Sequence, residues 1–542
     1  MEPSVEDPSR TRSFLERYSF FILSLGYLLL AFKLLPDYGL GFDSPKNFDE
    51  GQINLNFLLT GHTALLDQFS LSLQIHGAFF FMLSELCKRF LSDGCGWLDP
   101  VSAHHVLIPI LVFFFINSFY IFLKKWTNSR TAFLTCALLL TAPHFFGQIF
   151  NNIKDIPLFV FFSITMFNFY EWHASGFRKR RYLYGTFIAG GLALISKLYA
   201  LLIPILLLLW LLVLRRTANR KKEYPTPTAP RANTFWTPSN LFHSFVGLDL
   251  ASTLLALFFM PAFYPIQEKM IFLEMKGRAV KQLMQHGTQN WSFYPLIQVF
   301  YITPVLTLVM AILGLIKTLF QKPLTSLSAL MLTLFFVVMA VACTPIFPVY
   351  NGIRLFMVYL LPFCFFAIAG ITCTAELIEK ISPVKKTWAV WILGLVLIAA
   401  QISGIAATHP YETTFFNRLA GGLKGAQKKH IPDAADYWLV SYREAMRWIN
   451  RNAPRNALLW LPNSDGIYMI RYYFIRTDLK YDFIKQTPLP RNSFLIITPG
   501  KTCWTNVTTD MRGNIERETN RMAKIHSIRR QGGEILTIYY KP

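Results

Sequence analysis

Apolar runs long enough to cross a bilayer set the frame for this chain. A spanning helix needs about 20 mostly apolar residues. That rule predicts spans at 18–36, 103–123, 131–150, 156–174, 182–197, 199–214, 246–264, 295–317, 326–344, 353–372 and 386–407. The reading is a mainly α, polytopic membrane protein of about eleven spans. Composition agrees where it bears on the point: 53% of the residues are hydrophobic and 15% charged, against about 25% charged in a soluble domain.

Charge gives the orientation. The net charge is +22, which in a soluble chain would raise nucleic acid as a partner. Here the basic residues fall in short loops between spans. Lys124-Lys125 with Arg130, Arg178 to Arg181, Arg215-Arg216 with Lys221-Lys222, Lys317 with Lys322, and Lys385-Lys386 share one side. Arg10, Arg12 and Arg17 of the N-terminal tail share it too. By the positive-inside rule that side is cytoplasmic, and no nucleic acid is expected. The tail lacks a small-residue cleavage site, so the first apolar run reads as a retained span rather than a signal peptide. Cys87 and Cys95 are close enough in sequence to pair; most other cysteines read as small core residues.

The apolar piece Leu71 to Leu91 tests the topology. If it spanned, every later loop would change sides. It is therefore read as an amphipathic or re-entrant helix, carrying His76, Glu85, Lys88 and Arg89, within a first external loop at 37–102. Residues 215–243, rich in Lys, Arg, Pro and Thr, read as a cytoplasmic linker. Residues 1–407 thus form a membrane domain. Residues 408–542 form a small external α/β domain, with a helix at Ser441–Asn452 and strands at Ala457–Leu461, Tyr481–Ile484, Ser493–Thr498 and Glu534–Tyr540.

Candidate chemistry collects on the external side. Asp49 and Glu50 follow the first span; a carboxylate there can act as general base or help hold a divalent cation. An arbitrary acidic pair is more often a solvated loop acid. The block from Pro143 to Pro157 packs His144, Gln148, Asn151, Asn152, Lys154 and Asp155 between two spans. Such groups face the protein interior or a wet cavity, although snorkelling of the Lys–Asp pair is the competing reading. Lys197 and Arg354 lie at the same interface and suit a phosphate. His409 and Tyr411 stand at the exit of the last span, where polar and aromatic groups can cap a sugar; a structural linker there would look the same. Residues Ala420 to Ala426 and Asp436-Tyr437-Trp438 follow. His76, His104 and His105 have no metal-ligand spacing and read as structural. No residue set specifies a metal.

Together these blocks resemble the membrane-embedded glycosyltransferases of the GT-C type, in the group of the protein O-mannosyltransferases and the lipid A aminoarabinose transferase. The resemblance rests on Phe48-Asp49-Glu50, on Pro143 to Pro157, on His409-Pro410-Tyr411 with Phe416-Asn417, and on Gly421-Gly422 and Asp436-Tyr437-Trp438, over about 400 residues with the topology. It implies transfer of a sugar from a polyprenyl-phosphate donor to a glycan, lipid or protein acceptor on the external, periplasmic face of a bacterial inner membrane, usually with inversion. It implies Asp49 as base with Glu50 beside it, and Asp155 as a second catalytic acid. Lys154, Asn151, Asn152, Lys197, Arg354, His409 and Tyr411 would then bind carrier phosphate or substrate. No cofactor is specified, and a divalent metal cation is compatible with the carboxylates near Asp49. The sequence departs from the group at Ile75-His76-Gly77, where many relatives have His-Pro-Pro. A lipid-tethered donor also agrees with the lack of a dinucleotide-binding glycine motif. A transporter or flippase is the competing class; it would place its polar groups at the midplane and show an inverted repeat. A membrane protein with a glycan-binding external domain is a third.

Overall fold

A computed structural model describes residues 14–61, 78–219, 291–345, 347 and 350–542. The predicted span at 246–264, nearly all of the linker at 215–243 and His76 lie outside them. The chain is mainly helical with a small C-terminal sheet. Among the described residues, six helical stretches are long and apolar enough to cross a membrane: Phe20–Asp37, Pro100–Trp126, Tyr199–Arg216, Ser326–Cys343, Met357–Ile381 and Lys386–Thr408. Ser129–Thr141 and Val305–Phe320 are shorter apolar helices.

The helices before the large undescribed stretch are α1 (Phe14–Leu34), α2 (Ser44–Thr60), α3 (Phe79–Lys88), α4 (Pro100–His105), α5 (Leu107–Trp126), α6 (Ser129–Thr141), α7 (Pro143–Gln148), α8 (Asp155–Ala174), α9 (Arg180–Ser196) and α10 (Leu202–Asn219). Then come α11 (Tyr294–Ile302), α12 (Val305–Phe320), α13 (Ser326–Cys343), α14 (Leu360–Ile381) and α15 (Lys386–Thr408).

Proline corrects two predicted spans. The run 131–150 divides at Ala142-Pro143 into α6 and α7, and 295–317 divides at Pro304 into α11 and α12. Proline offers no N–H to the helix and biases the residue before it towards extended backbone. The span predicted to open at 353 opens at Leu360. Asn351 and Gly352 both hold positive φ, so Arg354 lies in a loop ahead of the helix. Cys87 and Cys95 are free thiols.

The described residues between α1 and α5 form a helical layer. Asp99 caps α4 by accepting from the amides of Val101 and Ser102 at 3.1 and 3.2 Å, with Pro100 in the first turn, where no N–H is needed. Helix α3 packs on α2 so closely that a Cβ at Gly51 would stand 2.3 Å from the Phe81 carbonyl oxygen. Phe48 stacks on the buried His104 ring at 3.6 Å, the structural role expected of that histidine.

Helix α8 sets the scale. It is mostly buried, and its 20 residues give about 30 Å of rise, the thickness of the hydrocarbon core. At its C-terminal end Glu171 meets Lys125 and accepts from Trp126 Nε1 at 2.6 Å. The two basic turns at 124–130 and 175–181 are thereby neighbours. Asp155 lies at the opposite end.

Beyond α15 come α16 (Gly422–Lys428), α17 (Tyr442–Asn452), α18 (Ser464–Ile470) and α19 (Thr509–Thr519). The strands are β1 (Leu458–Leu461), β2 (Lys480–Phe483), β3 (Ser493–Ile497), β4 (Ala523–Arg530) and β5 (Gly533–Lys541), in sheet order β2-β1-β3-β5-β4. β1 runs parallel to β2 and β3; β5 runs antiparallel to β3 and β4. The predicted helix and four strands are present. β4 was not foreseen: it is a basic edge strand with only Ile528 buried, as exposed edges commonly are. The C-terminal segment docks firmly on the membrane helices. The Asn417 amide donates to the Phe300 and Thr303 carbonyls, both at 2.7 Å.

Candidate active site

The turn between α7 and α8 is built by its own side chains. Asn152 Oδ1 accepts from the Asp155 amide at 2.9 Å. Its Nδ2 donates to Gln148 Oε1 at 2.6 Å and to Asp155 Oδ2 at 3.0 Å. These bonds fix Asp155, 1% exposed, at the first turn of α8.

Two distant segments bring cations to that carboxylate. Lys197, where α9 ends, donates from Nζ to Asp155 Oδ1 at 2.6 Å. Arg354 Nη1 stands 4.0 Å from Asp155 Oδ2 and donates to Asp43 Oδ2 at 3.1 Å. Lys154 Nζ lies 3.7 Å from the same Asp43 oxygen. Three cations therefore face two carboxylates, leaving one positive charge in surplus. Asp43 sits just before α2. Burial by itself would raise its carboxyl, but Lys154 and Arg354 outweigh that and hold it well below the usual carboxylate range.

Aromatic groups roof the cluster. Arg354 stacks over Tyr350 at 5.0 Å and over Trp438 at 5.2 Å. Gly352, at φ +69°, gives its amide to Tyr294 Oη at 2.7 Å and to Asp433 Oδ2 at 3.1 Å. Tyr437 Oη would lie 2.7 Å from a Cβ on Gly352, so that position needs glycine for space as well as for φ. Arg354 Nε, Trp438 Nε1 and Asn151 Oδ1 are buried and have no hydrogen-bond partner among the described residues. Such orphans are rare in native interiors and costly unless something satisfies them.

Asp49 is elsewhere. Along α2 it lies six residues past Asp43, about 9 Å of rise and towards another face. It accepts from Tyr472 Oη at 2.5 Å and from Arg471 Nη2 at 3.1 Å, and Arg471 stacks on Tyr468 at 3.7 Å. Its side chain is 30% exposed. Glu50, on the neighbouring face of α2, is buried. His409 and Tyr411 form a third group. His409 Nδ1 is 2.8 Å from Glu412 and Nε2 is 3.2 Å from Asp37. Glu412 also accepts from Tyr38 Oη at 2.8 Å. Tyr411 Oη donates to Glu444 at 2.5 Å. These bonds tie the exit of α15 to the end of α1.

Among the sequence candidates, Lys154, Asn152, Asp155, Lys197 and Arg354 are thus brought together with Asn151 beside them. Asp49 and Glu50 occupy a second place, and His409 and Tyr411 a third. Sequence reasoning passed over Asp43, Tyr294 and Asp433; for Asp43 the available signal was an acid directly before Ser44-Pro45, a helix start. No group of three His, Cys, Asp or Glu side chains able to hold a metal occurs among the described residues.

Residues 100–228 match the family model described as dolichyl-phosphate-mannose-protein mannosyltransferase, which bears out the resemblance drawn from the sequence. No curated protein matches significantly. Among solved structures, ArnT from Cupriavidus metallidurans bound to undecaprenyl phosphate is 13% identical at a TM-score of 0.46, covering 96% of this chain and 98% of that one. Its apo state is 12% identical at 0.47 with the same coverage. The Archaeoglobus fulgidus oligosaccharyltransferase tethered with an acceptor peptide is 14% identical at 0.43, covering 86% of this chain and 60% of that one.

Proposed function

We propose that the chain is an integral membrane glycosyltransferase that takes a sugar from a polyprenyl-phosphate donor and passes it to an acceptor at the external face. One observation carries the reading. Three cations from separate segments converge on two carboxylates with one charge to spare, and buried donors beside them are unsatisfied. A phosphate would answer both, accepting from Arg354 Nε and Trp438 Nε1 and balancing the surplus charge.

In the reaction, an acceptor hydroxyl or amine attacks the anomeric carbon. Its bond to carbon forms as the carbon–oxygen bond to phosphate breaks, with inversion. Polyprenyl phosphate leaves with the electron pair, stabilised by Lys154, Lys197 and Arg354. The acceptor proton passes to a carboxylate. Asp155 is buried and Asp43 is held by two of the phosphate-binding cations, so neither is open to an incoming acceptor, whereas Asp49 meets a single cation away from them. Asp49, partly exposed and bonded by Tyr472 and Arg471, is assigned the role of base, with Glu50 beside it. His409 and Tyr411, which lie away from the cations, are assigned a positioning role at the α1–α15 junction. The N-terminus lies in the cytoplasm and the C-terminal sheet outside, probed by cysteine labelling of intact cells.

The test is transfer of radiolabelled sugar from a panel of polyprenyl-phosphate sugars to membrane extract, with purified protein. Wild type is expected to move label. Asp49→Asn should still bind donor but transfer about 10²–10⁴-fold more slowly, and Arg354→Gln should lose donor binding. No transfer from any donor by folded wild type would overturn the assignment and favour transport. Loss of transfer in EDTA with recovery in magnesium would add a divalent cation.

A further inference from the structure

A cavity of about 530 Å³ lies between α17 and the first external loop, apart from the cation cluster. Its size is that of an ordinary ligand pocket. Arg443, Arg447 and Arg451 line it from one helix, and their spacing of four sets them on one face. The only acid in the lining is Asp99. It is already engaged, with Arg443 Nη2 at 2.6 Å and Ser102 Oγ at 2.5 Å. Arg476, across the cavity, is likewise taken up by Asp478 at 2.8 Å.

Two arginines remain. Arg447 gives one N–H to the Pro36 carbonyl at 3.0 Å. Arg451 has no partner among the described residues. Partial burial, then the charge of Arg443, holds Arg447 below its ordinary value, against the opposing pull of Asp99 and Asp37.

The height of the cavity identifies the ligand class. Pro36 lies in the short helical turn Leu35–Asp37 that closes the first spanning stretch, so Arg447 stands where a spanning helix leaves the apolar core. Phosphate headgroups occupy that level. Phe474, 76% exposed, lines the same cavity as Arg447 and Arg451. That pairing suits an amphiphile, with phosphate on the guanidinium forks and methylenes on the ring.

We propose that this cavity binds the phosphate headgroup of a membrane lipid, at a site separate from the Arg354 cluster. The proposal does not depend on the transfer reaction. Tyr472 lines the same cavity and bonds Asp49, so an occupied cavity would sit one side chain away from that carboxylate.

The test is titration of the full chain in detergent with dioctanoyl phosphatidic acid and, separately, dioctanoyl phosphatidylcholine. Wild type should prefer the phosphatidic acid by about tenfold or more, and Arg447→Gln/Arg451→Gln should remove that preference. Arg451→Gln alone breaks no side-chain hydrogen bond or ion pair among the described residues and should give part of the loss. Lys428→Gln, exposed on α16 and outside the cavity lining, should bind phosphatidic acid like wild type. Equal binding by the double variant, or the same loss in Lys428→Gln, would overturn the site. Displacement by inorganic phosphate at the lipid's own concentration would overturn the lipid headgroup as its ligand.

Discussion

The two acidic places on this chain are built in opposite ways. Asp155 is 1% exposed and is held by a neighbouring turn, by Lys197 and, through the shared Arg354, by Asp43. Asp49 has a 30% exposed side chain and two partners, Arg471 and Tyr472, both from one short stretch after α18. The first is a cradle in which Asp155 and Arg354 are buried and the side chain of Asp43 stays 33% exposed. It cannot lose a member without leaving another charge stranded. The second is a contact at a half-wet surface, which can open and close at small cost. A phosphate needs fixed charges that do not reorganise, and a base needs access to an incoming acceptor. The difference in construction supports the division of labour proposed above.

The comparison breaks first at Asp155→Asn. Removing one partner of a buried ion pair is expected to cost about 3–5 kcal/mol, seen as a fall in the unfolding midpoint of the detergent-solubilised chain. A variant as stable as wild type would mean that the cradle is not electrostatically locked. Tyr472→Phe is expected to cost less, about 1.5 kcal/mol for a bond to a charged acceptor. A loss equal to that of Asp155→Asn would erase the distinction between the two places.

The smallest effect sharpens the contrast through pH, at the third group. Burial would lower the His409 imidazole, but hydrogen bonds and charge from Glu412, then Asp37, outweigh it and raise it above its ordinary value. A raised folded value stabilises fully below about pH 6.5, the unfolded reference. That contribution is lost as pH climbs through the folded value. The wild-type unfolding midpoint should therefore decline above about pH 6.5 relative to that of His409→Gln. Parallel curves would show that the imidazolium is not part of the tie between α1 and α15.

Much of this was legible because membranes simplify the code. Apolar length predicted most of the helices, and the proline breaks at Pro143 and Pro304 were missed by counting hydrophobicity without weighing the lost N–H. Basic turns predicted that Lys154, Lys197 and Arg354 share one face, since topology alone puts span ends level with each other. Their convergence on Asp155 was not legible, because sharing a level does not make neighbours. Asp43 escaped notice as a lone loop acid. Arg471 and Tyr472 lie more than 400 residues from Asp49, and nothing in their local sequence sets them apart from other surface groups.

The cradle around Asp155 draws on Asp43, Lys154, Lys197, Arg354 and the Trp438 roof. These residues emerge from the ribosome far apart in time, and the last of them follows α15. A nascent chain with its first ten helices inserted would carry the acids and both lysines but neither the guanidinium nor its cover. Under the proposed function, such an intermediate has no place to seat a lipid phosphate. The proposed binding would therefore arrive late in biogenesis, and a chain truncated anywhere before Trp438 would remain silent in the membrane without drawing on the carrier-lipid pool.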